Sequence, residues 1–250
     1  MSDHAFEESA RSGIQSSSYP NLAKPESDGI FCYHLQRRLS GWLSVRLAKH
    51  IGPNTATAID LFFGVAASLL LILDHWLWSV VMIQAFGIFS CVDGEIARFQ
   101  GRSSRIGDFL DTLTDRVTEL LFVGALVYSL AEKLDKPRVF GAGLVLLGGI
   151  FLLTTSSEKF RSTYHVNYPK RKLEGLFGPF CAGSDSRLLM LSIGLVVASV
   201  TGYHELLLWL LWALAAATYT NFVVRVGLVH RHFRTADENP TEIPRVANDR

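Results

Sequence analysis

The chain lacks a cysteine framework. Its three cysteines, Cys32, Cys91 and Cys181, are scattered without CxxC spacing, so reduced thiols are expected. Charge of one sign is lacking too: a formal net charge of +1 says little about partners, and no nucleic-acid partner is expected. The polar N-terminus has neither the basic start nor the apolar core of a cleavable signal, so the first spanning helix is expected to direct insertion itself. His75, His204, His230 and His232 lack metal-ligand spacing near the carboxylates, and no convincing internal repeat is present.

What the chain has is apolar length. Hydrophobic residues make up 49% and fall in long blocks, which indicates a polytopic membrane protein of one domain. Residues 1–28 are rich in Ser, Glu and Pro without apolar period and are expected to form a disordered cytosolic tail. Across 29–50, Ile30, Phe31, Leu35, Leu39, Trp42 and Leu43 intermingle with Arg37, Arg38, Arg46 and Lys49. That pattern predicts a basic amphipathic helix lying in the interface, apolar side down and cations near lipid phosphates.

Six apolar stretches follow, at about 55–73, 76–92, 109–131, 139–157, 188–203 and 205–228, several near the roughly 20 residues that cross about 30 Å of hydrocarbon. The expected fold is an all-α integral membrane protein: an interfacial helix, then a six-helix domain over 51–234 and a flexible tail over 235–250. Lys and Arg concentrate before the first span, after the second and fourth, and at the end of the sixth, while the opposite loops hold only Lys133, Lys136 and Arg138. Both termini and the site described next should therefore face the cytosol of a cell-membrane protein. Gly141, Gly143, Gly148 and Gly149 permit close helix contacts within a bundle or a dimer.

The chemistry is concentrated in Asp93-Gly94-Glu95-Ile96-Ala97-Arg98, followed by Gly107, Asp111 and Asp115. Asp111 and Asp115, four apart, stack on one helical face, and Asp93 and Ala97 stack likewise at the end of the preceding helix. Gly101 lets the chain turn between them, and Gly107 removes a side chain where backbones or a ligand approach. Carboxylates cost roughly 2.5 to 3.5 kcal/mol each at the centre of a span, and divalent cations would compensate them: Mg²⁺ or Mn²⁺ takes oxygen ligands and recruits phosphates. The plainer alternative is helix-holding ion pairs, Asp93 with Arg98 and Asp111 or Asp115 with Arg116. Asp108 either caps the third spanning helix or extends the acidic face. The basic stretch 159–172 either receives a phosphorylated acceptor or anionic lipid head, or only marks topology.

These residues resemble the signature of the CDP-alcohol phosphotransferase (CDP-alcohol phosphatidyltransferase) family, DxxDGxxAR, about eight residues, then GxxxDxxxD. The chain reads SxxDGxxAR from Ser90 to Arg98, then Gly107, Asp111 and Asp115. Pro53-Asn54 followed by Thr55 and Thr57 also looks like the start of that family's first span, and the GEIAR wording looks most like members related to di-myo-inositol phosphate phosphate synthase.

The resemblance implies a homodimeric six-helix bundle with a two-metal site for Mg²⁺ or Mn²⁺. It implies Asp93 and Asp111 as metal ligands and Asp115 as ligand or general base. Gly94, Ala97 and Arg98 would line the CDP region, with Asn54 and Gly107 also on the binding side. A CDP-alcohol such as CDP-diacylglycerol would donate, and an alcohol or phosphorylated polyol would accept with release of CMP, in phospholipid synthesis. Alternatives are soluble polyol-phosphate diester synthesis, or a catalytically silent relative that binds a CDP-lipid or a partner. A transporter would need an acidic path through the bilayer, whereas these carboxylates gather at one end.

Ser90 stands where the family pattern has its first aspartate, offering a hydroxyl instead of a charge. Either a nearby carboxylate substitutes, with Asp60 on the same side of the first span as Asn54, Thr57 and Gly64, or metal binding is crippled. Asp60 and Ser90 are therefore further candidate ligands.

Overall fold

Gly52 stands in extended backbone and Pro53 takes the first helical position, where a missing N–H leaves no bond unmade, so the first long apolar helix starts there. This computed structural model describes residues 36–164, 168, 174 and 183–238, with side chains as far as Arg231, and holds no strand among them. The helices are α1 Arg37–Leu47, α2 Pro53–Ile72, α3 Trp76–Phe99, α4 Arg105–Ala131, α5 Lys136–Tyr164, α6 Ser184–Thr201 and α7 Glu205–Glu238. The expected tail 1–28, the start of the interfacial helix over 29–35, Cys32, Cys181, Lys170, Arg171, Lys172 and residues 239–250 lie outside the described residues.

Among the described residues five helices, α2, α3, α5, α6 and α7, are long and apolar enough to cross a membrane, which makes this a multi-pass membrane protein. The remaining expected span, α4, is a helix of 27 residues with Arg105, Asp108, Asp111, Asp115 and Arg116 in its first half and Glu119 just past its midpoint. At about 1.5 Å per residue it is long enough to cross, but its charges gather toward one end. The helices also overrun the apolar stretches: α3 continues to Phe99, α5 to Tyr164 and α7 to Glu238, through residues 235–238 of the expected tail. Hydropathy marks where lipid ends, whereas a helix continues as long as its backbone bonds and side chains tolerate it.

The bundle places α2 against α3 and α4, α5 against α4 and α7, and α6 against α3 and α7. Leu71, Ile83, Phe122, Leu126, Leu146 and Leu195 lie in its buried core, while Phe62, Phe151 and Val200 stand outward and exposed, as lipid requires of an outer surface. Small residues set the helix spacing. A Cβ on Gly64 would stand 2.4 Å from Thr118, and one on Gly143 would stand 2.3 Å from Val127. Gly149 meets Tyr219 in the same way, whereas Gly141 has open space around it.

In the short helix α1 the placement of one cation, Arg37, departs from expectation. Contacts advance together along α1 and the last turns of α3: Gln36 lies against Gly87, Ser40 and Ser44 donate to Glu95 at 2.8 and 2.7 Å, and Gln100 donates to the carbonyls of Ala48 and Ile51. Arg37 does not face lipid phosphate; it is buried and donates to Glu95 at 3.0 Å. Leu39 and Trp42 point outward instead, with the Arg46 guanidinium 3.7 Å over the Trp42 ring. The physical reason is Glu95, fully buried on α3: a carboxylate there needs a cation and donors, and the polar stripe at positions 37, 40 and 44 supplies them.

Candidate functional site at the charged end of the bundle

The site begins at the turn between α3 and α4. Gly101 has a φ of 63°, and the bonds from Gly101 N to Arg98 O and from Arg102 N to Ala97 O close the end of α3 in a Schellman motif. Three residues later Ser104 caps α4, accepting from the Gly107 amide at 3.0 Å. The cap is therefore Ser104, and Asp108 sits in the first turn, where it pairs with Arg161 at the end of α5. This tight connection sets the two halves of the aspartate motif face to face.

A cavity of about 290 Å³ opens between α2, α3 and α4. Asn54, Asp93, Gly94, Ala97, Arg98, Gly107 and Asp111, all singled out from sequence, line it together with Pro53, Thr57, Arg102, Ser103, Ser104 and Asp108. Sequence reasoning took Arg102 only as a topology signal and passed over Ser103 and Ser104. Their place in the eight-residue spacer was the available clue, since both ends of that spacer lie at the site.

Asp93 is buried and held from two sides: Thr57 Oγ1 donates to Oδ2 at 2.8 Å and the Gly94 amide to Oδ1 at 2.5 Å. A Cβ on Gly94 would stand 3.3 Å from Arg98 Nη1, so the missing side chain leaves the guanidinium its place at the cavity wall. One turn beyond Asp111, Asp115 is half-buried, is not part of the cavity lining, and accepts from Ser90 Oγ at 3.2 Å. Asp60, on α2, is 1% exposed, and its Oδ1 has no hydrogen-bond partner. The charges that bear on it are those of Asp115, Asp93 and Asp111. Asn54, Thr57, Asp60 and Gly64 thus form one stripe on α2 that runs from the cavity mouth, where Asn54 is exposed, into the buried interior.

Hard oxygen donors from three helices suit a divalent cation of the magnesium or manganese kind, and the orphaned Asp60 oxygen is a buried acceptor of the type such a cation satisfies. As the side chains stand, no group of three or more His, Cys, Asp or Glu among the described residues is arranged to hold a metal ion. The carboxylates converge without closing a coordination shell.

Two further charged clusters lie near this end, and hydropathy gave no warning of either. Glu119, buried one turn beyond Asp115, accepts from Arg187 of α6 at 3.0 Å and from Arg116 at 3.1 Å. Arg116 therefore turns to Glu119 and does not form the helix-holding pair considered for the aspartates. Glu174 accepts from Arg225 of α7 at 2.7 Å, and Arg225 also donates to Ser157 at 2.6 Å. The Arg225 guanidinium lies 4.6 Å over the Tyr168 ring, whose phenol is pushed well above its ordinary value by burial first and Glu174 second.

Fold and site together define a multi-pass helical membrane protein with a carboxylate-rich polar cavity at one end. Its residues 50–217 match the CDP-alcohol phosphatidyltransferase family, and the chain belongs to that family. It is 28% identical over 210 residues to the bifunctional IPC transferase and DIPP synthase of Thermococcus kodakarensis, with 82% of this chain and 45% of that protein covered. It is 29% identical over 179 residues to the phosphatidylinositol phosphate synthase of Corynebacterium glutamicum, with 70% of this chain and 76% of that protein covered. The chain therefore spans less than half of the first relative and about three quarters of the second.

The crystal structure of Mycobacterium tuberculosis phosphatidylinositol phosphate synthase with CDP-DAG bound superposes with a TM-score of 0.63 at 21% identity, covering 77% of this chain and 94% of that one. The same enzyme in complex with manganese and citrate gives a TM-score of 0.61, covering 76% of this chain and 88% of that one. At that identity the likeness establishes the fold.

Proposed function

We propose that the chain transfers a phospho-alcohol group, phosphatidyl foremost, from a CDP-alcohol such as CDP-diacylglycerol to an acceptor hydroxyl, releasing CMP in phospholipid biosynthesis. The observation that carries this reading is the cavity itself, where Asp93, Gly94, Ala97, Arg98, Gly107 and Asp111 of the family motif meet Asn54 and Thr57 of α2. Arg98, with Gly94 kept small beneath it, would face the donor's phosphates through charge-assisted bonds. Asp115 would take the acceptor's proton as the new oxygen–phosphorus bond forms at the β-phosphorus and the bond to the CMP oxygen breaks.

Asp93 and Asp111, with Asp115, would hold Mg²⁺ or Mn²⁺, which when bound neutralises charge on the phosphate oxygens. The solved relative in complex with manganese supports a divalent cation as the cofactor. The names of the relatives, phosphatidylinositol phosphate synthase and DIPP synthase, favour a phosphorylated polyol acceptor, and the basic stretch after α5 is a candidate to receive it. A homodimer in the cell membrane, with the cavity and both termini cytosolic, completes the reading; the Lys and Arg distribution supports that orientation.

The test is CMP release by purified protein in lipid nanodiscs, given CDP-diacylglycerol, a panel of polyols and polyol phosphates, and Mn²⁺ or Mg²⁺. Metal-dependent release with one acceptor class supports the proposal. Ser90 at the first motif position favours a second reading, a silent relative that binds a CDP-lipid, and binding of CDP-diacylglycerol without release under every condition would select it. Orientation has its own check in cells bearing Arg102→Cys or Asp135→Cys: impermeant reagent should label position 135 and not 102.

A further inference from the structure

Position 90 is a serine, yet the spot it faces is not short of negative charge. Ser90 Oγ lies 3.2 Å from Asp115 Oδ1, and Asp60 stands on α2 one turn beyond Thr57, whose hydroxyl holds Asp93. Ser90 on α3 and Asp60 on α2 therefore flank the motif aspartates from two different helices. Resting on the transferase reading of this site, we infer that the metal-ligand set has been rewired: the carboxylate missing from position 90 is supplied across the helix pair by Asp60.

The burial of Asp60 is what demands an explanation. It is 1% exposed in the middle of an apolar helix, and its Oδ1 meets no donor. The buried glutamates Glu95, Glu119 and Glu174 each meet an arginine, whereas no cation pairs with Asp60 among the described residues. A carboxylate kept in lipid-excluded interior beside three others is stable only with a positive partner or a proton. Its register fits the first alternative. Thr57, one turn toward the cavity, already reaches Asp93, and Gly64, one turn further in, lets α4 approach until Thr118 stands where a Cβ would be. That close crossing brings the α4 aspartates toward α2.

The exchange makes the two positions complementary. With Asp60 present, a hydroxyl at 90 can donate to Asp115 and orient it, while a second carboxylate there would add repulsion. With Asp60 neutralised, a carboxylate at 90 would restore the ligand charge from the α3 side.

The test is Mn²⁺ binding, counted by electron paramagnetic resonance and by the Mn²⁺-induced rise in melting temperature, on the full chain in nanodiscs. Asp60→Asn is expected to weaken Mn²⁺ binding by about 10- to 100-fold while melting at or above wild type without metal. Ser90→Asp in the Asp60→Asn background is expected to recover most of the loss, and Ser90→Asp alone to gain no more than about threefold, because repulsion offsets the added ligand. Undiminished Mn²⁺ binding by Asp60→Asn, no recovery in the double variant, or no Mn²⁺ binding by wild type would each overturn the inference. If Asp60→Asn does not fold, the double variant is read in its place: a wild-type-like rise in melting temperature with Mn²⁺ supports the exchange and its absence overturns it. A wild type that binds Mn²⁺ through Asp60 yet releases no CMP would sink the transferase reading and leave this assignment standing.

Discussion

Two kinds of carboxylate, buried or half-buried, share one end of this bundle. Glu95, Glu119 and Glu174 are closed: each is bonded to an arginine, from α1, α6 and α7 respectively, and Glu95 takes two serine hydroxyls as well. Asp93 and Asp111 border a cavity, Asp115 and Asp60 lie one turn further along α4 and α2, and the bonds that Asp93 and Asp115 accept from Thr57, Gly94 and Ser90 come from neutral donors. The lesson is one of purpose. A carboxylate clasped by arginine inside the bundle fixes helices, and a carboxylate on a cavity wall can meet a ligand. A buried glutamate closed by arginine therefore belongs to stability and a cavity aspartate to turnover, and substitutions can test that division.

The sharpest way to break the division is to open a closed pair. Glu119→Gln takes the Glu119 charge from Arg187, which is 2% exposed, and should destabilise the fold by about 3–5 kcal/mol, whereas Glu119→Leu with Arg187→Met should cost much less because the buried cation is removed too and Arg116, the other partner, is over a third exposed to solvent. Equilibrium unfolding in mixed micelles reads both. Equal losses in the single and double variants would show that the pair holds α4 to α6 by more than charge matching.

Next in size are Asp93→Asn and Asp111→Asn, which keep shape and remove charge from the cavity wall. CMP release should fall by about 10²- to 10³-fold or more, with melting in the absence of metal unchanged or raised as repulsion among the aspartates falls. A variant that lost stability and kept turnover would move that aspartate to the closed class.

A smaller effect is expected at Ser44. Ser44→Ala deletes one donor to the buried Glu95 carboxylate, a loss of about 1.5–3 kcal/mol for a bond to a charged group. The cost should appear as faster amide exchange in α1, with little change elsewhere. Uniformly faster exchange throughout the bundle would mean that α1 is part of the core and not a helix docked on α3.

Much of this arrangement was legible in the sequence because it rests on spacing. The number and order of long helices follow from apolar length, and the meeting of Asp93 with Asp111 follows from a turn at Gly101 short enough to set the two helix ends together. Asn54, Gly94, Ala97, Arg98 and Gly107 reach the same cavity as those aspartates. What escaped reading were the partners of buried charges. Arg37 looked like a cation for lipid phosphate, and only the depth of Glu95, a tertiary property, turns it inward. Arg187 and Arg225 counted as topology signals, although both are buried. Composition cannot separate a lysine or arginine at a membrane edge from one clasped by a glutamate 68 residues away in the chain, because that distinction depends on which helices become neighbours.

The smallest effect should come from Gly94→Ala, which touches neither class of carboxylate directly. The added methyl would lie 3.3 Å from Arg98 Nη1, so the guanidinium must give by a few tenths of an ångström while Asp93 keeps its bond from Thr57. Displacing a phosphate-facing group by that much should raise the Michaelis constant for the CDP-alcohol on the order of 3- to 10-fold with kcat nearly held. The Gly94 amide still donates to Asp93, so Mn²⁺ binding should stay close to wild type. Should kcat and Mn²⁺ affinity fall together instead, the glycine would be shaping the aspartate side of the cavity, and Arg98 would have to be reassigned from the donor's phosphates to the carboxylates it lies beside.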